Sequence, residues 1–324
     1  VKFVTFDHAG ADVVGRVIGS QIYGLPPGPA LIDLLGDGGE RLTEAGKRAA
    51  AKPSVVLDLD EATLRSPIPT PPTVRDFMTF EQHVEGALKA IDPAATIPDQ
   101  WYLAPTFYFA NPYSIRGPQD DVELPPRTQR FDFELELAAV VGRPGRDIAV
   151  EDAEQHIAGY MILNDWSARD VQFAEMQVRL GPCKGKDTAI TLGPFFVTPD
   201  ELEPFRKGNA YDLTATAKVN GQVIGQDNWS NMNFSYAQML AYASRAADVR
   251  TGDVLGSGTI GGGCLAEHWG QGVNSLPPLR EGDIVELEVE HLGVQRSRIV
   301  AQQAPAMDDA MFAATGVARA VNPS

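Results

Sequence analysis

Phe131-Asp132-Phe133-Glu134-Leu135-Glu136-Leu137 alternates apolar and acidic residues without a break. A period of two is the signature of a β-strand, whose successive side chains point to opposite faces. The four apolar side chains then share one face, and Asp132, Glu134 and Glu136 share the other. Side chains two apart on a strand stand about 6.6–6.8 Å apart along it, close enough for Glu134 and Glu136 to converge on one cation. A solvated strand face is the competing reading, because Glu286, Glu288 and Glu290 repeat the pattern near the end of the chain. What separates the two runs is the chemistry of the residues that accompany each.

Other segments extend the strand-rich reading. Val150–Ile157 reads as a short helix feeding a strand over Gly159–Leu163. Tyr211–Val219 alternates again and meets Asn220-Gly221, a pair suited to a type I′ hairpin. Ile284–Val289 and Leu292–Val300 form a late strand pair around Gly293, while Ser235–Ala247 reads as a helix with Ser235 as N-cap. Toward the N-terminus, short apolar pieces (Val1–Phe6, Val13–Ile18, Ala30–Leu35) are separated by Gly- and Pro-rich turns. Pro67, Pro69, Pro71 and Pro72 make a stiff linker. The expected organisation is a small β-rich unit over 1–70 and a larger domain over 71–324, in a mixed α+β, strand-dominated fold. No fixed repeat is seen, and the last fifteen residues are Ala-rich and indistinct.

Composition bounds the function. The chain has 324 residues, enough for a large core, and 27 Lys and Arg against 43 Asp and Glu give a net charge of −16. Such a surface repels phosphate backbones and anionic membranes, so no nucleic-acid or membrane partner is expected. Two cysteines, Cys183 and Cys264, exclude a disulfide framework and favour a reducing, cytoplasmic setting. Asp7 and Asp12 interrupt the apolar run that a signal peptide needs.

The chemistry-bearing residues gather in a few places. In Leu163-Asn164-Asp165-Trp166-Ser167-Ala168-Arg169-Asp170-Val171-Gln172 an acid follows an apolar strand directly, with Arg169 and Gln172 as oriented donors. The bland alternative is a loop in which Asp165 or Ser167 caps a helix. Gly181-Pro182-Cys183-Lys184-Gly185-Lys186 lacks the G-x-x-x-x-G-K-S/T spacing of a phosphate loop. Gly256, Gly258 and Gly261 satisfy G-x-G-x-x-G, but no amphipathic helix follows and Pro277-Pro278 interrupts the next strand position. Of the histidines at 8, 83, 156, 268 and 291, His83 stands shortly after the Pro-rich linker, seven residues beyond Asp76. One candidate base among several acids points to a hard cation with oxygen ligands rather than zinc.

Together these segments resemble the fumarylacetoacetate hydrolase family over roughly residues 70–300. Phe131–Val141 resembles its E-x-E metal strand, and Asn164–Gln172 its most characteristic segment, which supplies a further carboxylate. Asp76-Phe77 followed by His83 has the family's metal-ligand and base spacing. Gly185-Lys186 resembles its lysine motif, and Ser257-Gly258-Thr259-Ile260 with Glu267 its substrate threonine and histidine-orienting glutamate. Tyr108 matches a substrate tyrosine. The loop from Thr259 to Glu267 departs from the pattern, being shorter and carrying Gly261-Gly262-Gly263.

The resemblance implies a β-roll with a small SH3-like N-terminal domain, and a homodimer. It also implies Mg²⁺ or Ca²⁺, with Mn²⁺ compatible, on Asp76, Glu134, Glu136 and Asp165. A divalent cation can hold two oxygens of a diketo or 2-oxo acid and stabilise enolate charge. His83, oriented by Glu267, can deprotonate water, with Arg169, Gln172 and Lys186 donating to the oxyanion. The expected activity is hydrolysis of a C–C bond in a fumarylacetoacetate-like diketo acid, such as an acylpyruvate or another aromatic-catabolism intermediate. The alternative is decarboxylation, hydration or tautomerisation of a 2-oxo acid on the same site. A different class, a Ca²⁺-stabilised structural β-protein, would have no use for the gathered histidine, lysine and arginine.

Overall fold

The computed structural model describes residues 1–272 and 276–302, and the Ala-rich tail lies outside the described residues. The fold is mixed α+β and strand-dominated, as the periodicity indicates. Among the described residues the main sheet has twelve strands. Its path runs from Val55–Asp58 through Gln21–Gly24, Ala11–Ile18 and Lys2–His8 to Ile190–Val197. It continues through Ile157–Asp165, Leu135–Val141, Val254–Gly256 and Val74–Phe77 to Phe107–Ala110. Lys2 pairs with Val197 and Phe3 with Phe196, so the ladder passes from the first seventy residues into the rest without a break. A second sheet has the order Gln222–Asn228, Thr214–Val219, Ile284–Val289, Gly293–Val300 and Val122–Glu123. The largest core cluster draws apolar side chains from both sheets, among them Leu135, Leu137, Trp166, Trp229 and Leu287.

Local sequence explains most elements. Asn220 and Gly221 both take positive φ (52° and 78°), which a type I′ turn requires at both central positions. Ser235 accepts from the Gln238 amide, and the Gln238 side chain returns the bond to the Ser235 amide. That helix runs Tyr236–Ala243 and ends four residues before the expected Ala247, where Ala246 turns to φ 52°. Three further differences appear. The run 131–137 is two strands, Phe131–Asp132 and Leu135–Val141, because side chains capture the intervening amides: Phe133 N–H donates to Asp132 and Glu134 N–H to Asn164. Ala30–Leu35 holds a 3₁₀ turn at Leu31–Leu34. The N-terminal unit also contains a helix, Glu40–Ala51, whose buried stripe (Leu42, Ala45, Gly46, Ala49) has helical spacing and packs on Phe3 at Gly46. Among the described residues no helix is long and apolar enough to cross a membrane.

Candidate active site

Four carboxylates from four segments meet at the middle of the main sheet. Asp76 lies on Val74–Phe77, Glu136 on Leu135–Val141 and Asp165 at the end of Ile157–Asp165, while Glu134 occupies the break before Leu135. One oxygen from each lies within 4.8 Å of the others, and all four residues are buried. The convergence follows from register: Gly256 pairs with Asp76 on one side and with Ala138 on the other. A Cβ at Gly256 would stand 2.8 Å from Asp76 Oδ1 and 2.9 Å from Glu136 Oε2, so glycine leaves the carboxylates room.

Two cations answer part of this charge. Lys186 Nζ lies 2.5 Å from Glu134 Oε2 and 2.6 Å from Asp165 Oδ2. Arg169 donates from Nη2 to Glu134 (2.7 Å) and from Nε to Asp132 (2.8 Å). Burial works against the Glu134 carboxylate, but Arg169 and Lys186 outweigh it and hold it below the usual range. Burial would likewise strip Lys186 of its proton, yet Asp165 and Glu134 raise its pKa and keep it an ammonium. Five buried carboxyl groups therefore face two cations. Asp132, Glu134 and Asp165 share those two charges, so the five carboxyl groups outnumber the cations by three. Burial and neighbouring negative charge push Glu136 well up. Burial, reinforced by Glu134 and Asp76 against the pull of Lys186, takes Asp165 to about 8.

Asp76 Oδ1 and Asp165 Oδ1 are buried without a hydrogen-bond donor. Unpaired buried carboxylate oxygens are costly, and a hard divalent cation with oxygen ligands supplies what they lack. The donor set fits such an ion.

A base stands beside this cluster. His83, on the helix Glu81–Ile91, places Nδ1 3.5 Å from Glu267 Oε2 and Nε2 4.0 Å from Glu134 Oε1. Glu267 is fixed by the Gly262 amide (2.7 Å) and by Gln82 Nε2 (3.2 Å). The glycine-rich departure of this loop thus supplies a donor that holds the glutamate. Gly86 lets this helix close on Leu265–Gly270, the helix that carries Glu267, since a Cβ there would meet Glu267 Cγ at 2.2 Å.

The remaining sequence-selected residues fall around one cavity of about 330 Å³, whose lining includes three of the four carboxylate residues, Asp76, Glu134 and Glu136. Thr259 lines it and has a buried hydroxyl without a partner. Gln172 lines it too, its Oε1 accepting from Arg169 Nη1. Gly185 packs against the Gln172 backbone, where a Cβ would approach to 2.6 Å, and this seats Lys186. Two of the cavity residues also hydrogen-bond to the carboxylates. Tyr108, expected to contact substrate, lines the cavity with its hydroxyl 2.5 Å from Asp165 Oδ2 and 3.0 Å from Asp76 Oδ2. Arg169, expected as an oxyanion donor, lines the cavity and donates from Nε, Nη1 and Nη2 to Asp132, Gln172 and Glu134. Neither Asp165 nor Ser167 caps the following helix, whose N-cap is Ala168 without a side-chain bond.

Sequence reasoning assigned no role to Asp132, which is fully buried. It accepts from the Leu265 and Ala266 amides and from Arg169, tying the start of the Glu267 helix to the carboxylate strand. Its membership in the acidic alternation was the available signal. Cys264, with Sγ 3.8 Å from His83 Nδ1, carried none.

Fold and site together define a β-rich protein with a buried, cation-suited carboxylate pocket and an adjacent His–Glu pair. A family model described as fumarylacetoacetate (FAA) hydrolase C-terminal matches residues 73–300. A mitochondrial oxaloacetate tautomerase of Homo sapiens is 33% identical over 267 residues, covering 81% of this chain and 77% of that protein. A 2,4-didehydro-3-deoxy-L-rhamnonate hydrolase from a Sphingomonas species is 32% identical over 225 residues, covering 68% and 70%. Among solved structures, the fumarylacetoacetate hydrolase of Exiguobacterium antarcticum superposes with a TM-score of 0.71 at 25% identity, covering 93% of this chain and 99% of that one. A maleylpyruvate hydrolase from Sphingobium, in complex with manganese(II) and pyruvate, shares the fold (TM-score 0.70, 22% identity, 94% and 100% covered). The chain belongs to the fumarylacetoacetate hydrolase family and is an enzyme of that superfamily.

Proposed function

We propose that this enzyme hydrolyses a C–C bond of a diketo acid of the acylpyruvate type, using a divalent cation held by Asp76, Glu134, Glu136 and Asp165. The observation that carries the reading is the His83–Glu267 pair, 3.5 Å apart, with His83 on the lining of the cavity that Asp76, Glu134 and Glu136 also line. When bound, the cation supplies positive charge that stabilises the enolate of a 2-oxo acid. Mg²⁺, Mn²⁺ and Ca²⁺ all suit the oxygen donors, and the manganese complex of a fold relative supports a first-row or alkaline-earth ion.

His83 takes a proton from water, and Glu267 holds its Nδ1–H and stabilises the imidazolium. Water adds to the acyl carbonyl, the C–C bond breaks, and the electron pair passes to the 2-oxo acid fragment as its enolate. Lys186 offers an ammonium to developing oxyanion charge, Gln172 an amide and Thr259 a hydroxyl. Arg169 and Asp132 keep Glu134 in place. A homodimer is the assembly the family resemblance implies. The two free cysteines support a reducing compartment.

A second reading has a specific observation in its favour: relatives at 33% identity are named oxaloacetate tautomerases. There the same base would move a proton between carbon and oxygen of a 2-oxo acid, with no nucleophilic water. Purified enzyme, with and without EDTA, should be assayed for acylpyruvate cleavage by loss of enol absorbance and for oxaloacetate keto–enol exchange. Metal-dependent cleavage that falls about 10²–10⁴-fold in His83→Ala, with metal affinity retained, is expected. Oxaloacetate exchange without cleavage of any acylpyruvate would replace the hydrolase reading with the tautomerase one.

A further inference from the structure

We infer that the substrate is a 2-oxo acid with an apolar tail and no second carboxylate, a conclusion that rests on the 2-oxo acid reading above. The cavity is two-sided. Its deep end holds the carboxylates, Lys186 and His83. Its outer walls are two apolar helix stripes. Val84, Leu88 and Ile91 recur at helical spacing on Glu81–Ile91, the helix that carries His83. Phe173 and Met176, three apart on Arg169–Met176, line the same cavity. Seven residues of helix separate Val84 from Ile91, about 10 Å along the axis, which is the run available to a tail leading away from the base.

Two further observations point to an apolar occupant. A second cavity of about 220 Å³ adjoins the first, sharing Met78, Val84, Leu88 and Thr106 and adding Trp101 and Pro98. Ile91, Met176 and Met78 are 57%, 40% and 37% exposed on the lining of the first cavity, where large apolar side chains gain nothing unless something covers them. Among the described residues, the Lys and Arg side chains that line the cavity, Lys186 and Arg169, are buried with their donors on carboxylates. A distal carboxylate would gain no cationic partner on these walls and would leave their apolar side chains uncovered, whereas an alkyl tail covers them.

Calorimetric binding to the Mg²⁺-loaded protein tests this without requiring turnover. The probes are 2-oxobutanoate, 2-oxohexanoate and 2-oxooctanoate, with 2-oxoadipate as the six-carbon acid bearing a terminal carboxylate. Kd should fall about fourfold per added methylene, and 2-oxoadipate should bind at least about tenfold more weakly than 2-oxohexanoate. Leu88→Lys should reverse that last preference by giving the terminal carboxylate a partner. Affinity that is flat with chain length, undetectable throughout, or tighter for 2-oxoadipate than for 2-oxohexanoate overturns the inference. Acylpyruvates and oxaloacetate run in parallel separate the two claims. Chain-length-dependent binding with no turnover sinks the catalytic reading and leaves the tail site standing. Turnover that ignores the tail does the reverse.

Discussion

Two strands of this chain carry acids at alternate positions, and they have opposite fates. Glu134 and Glu136 lie at the centre of the main sheet, buried on the face that meets Lys186, Arg169 and Asp76. Glu286 and Glu288, on Ile284–Val289, face outward from the smaller sheet. Glu288 meets Lys218 at 3.2 Å, Glu286 meets Arg296 at 3.8 Å, and Glu290 accepts from the Thr214 amide at 2.7 Å. Strand period fixes which residues share a face, but it says nothing about what covers that face. The first pattern is a charge concentration that a cation can relieve; the second is an ordinary solvated ladder.

The contrast is sharpest in the ion pairs. Arg169 is 5% exposed against fully buried Asp132, whereas Lys218 and Glu288 are 33% and 47% exposed. Removing one partner of a buried pair strands the other charge, so Arg169→Ala should cost about 3–5 kcal/mol in denaturant unfolding. Lys218→Ala should cost about 0–1 kcal/mol. Similar losses for the two would erase the distinction.

A smaller effect is expected one layer out from the carboxylates. Asp132→Asn keeps the shape but weakens the hold on Arg169, and through it on Glu134. Metal affinity should fall about 10–100-fold, as is usual for outer-layer partners. An unchanged affinity would reduce Asp132 to a purely structural tie between strand and helix.

The third effect is a pH dependence that the outer strand has no means to produce. Asp165 is raised to about 8 by burial and its acidic neighbours, so the native protein favours its neutral form. That preference contributes stability below the ordinary carboxyl range near 4, and the contribution is lost as pH rises through about 8. A cation on the site offsets the loss and displaces protons as it binds. The gain in Tm from a fixed hundredfold excess of Mg²⁺ over its Kd, about 5 °C at neutral pH, should therefore coincide with proton release. At fixed free Mg²⁺ the gain should grow from pH 5 to pH 9. A gain that does not change with pH would mean that the carboxylates are already ionised without the cation.

Much of this was legible in the residues. The acidic alternation, the acid placed directly after Leu163-Asn164, and the spacing of His83 from Asp76 all brought together groups that the structure also brings together. What local pattern cannot carry is long-range partnership. Tyr108 is matched to a substrate tyrosine by resemblance, and its place beside the carboxylates emerges only when antiparallel pairing sets it opposite Asp76. Arg169 reads as an available donor until Asp132 and Glu134, more than thirty residues earlier, take its nitrogens. Nothing in the residues around Gly86 shows why a glycine stands there, and the approach of Glu267 explains it. The helix Glu40–Ala51 was different in kind: its apolar stripe was visible, but the surrounding Gly- and Pro-rich turns drew the reading toward strands.

Calorimetric titration of Mg²⁺ into the wild type, Glu136→Gln and Glu288→Gln tests the central claim most directly, because both changes remove one charge from the same motif and keep the side-chain shape. One site per chain is predicted in the wild type and in Glu288→Gln with equal affinity. In Glu136→Gln the affinity should fall by more than the roughly hundredfold expected of an outer-layer change. Equal affinity in all three proteins would contradict the assignment of the buried carboxylates as the cation site.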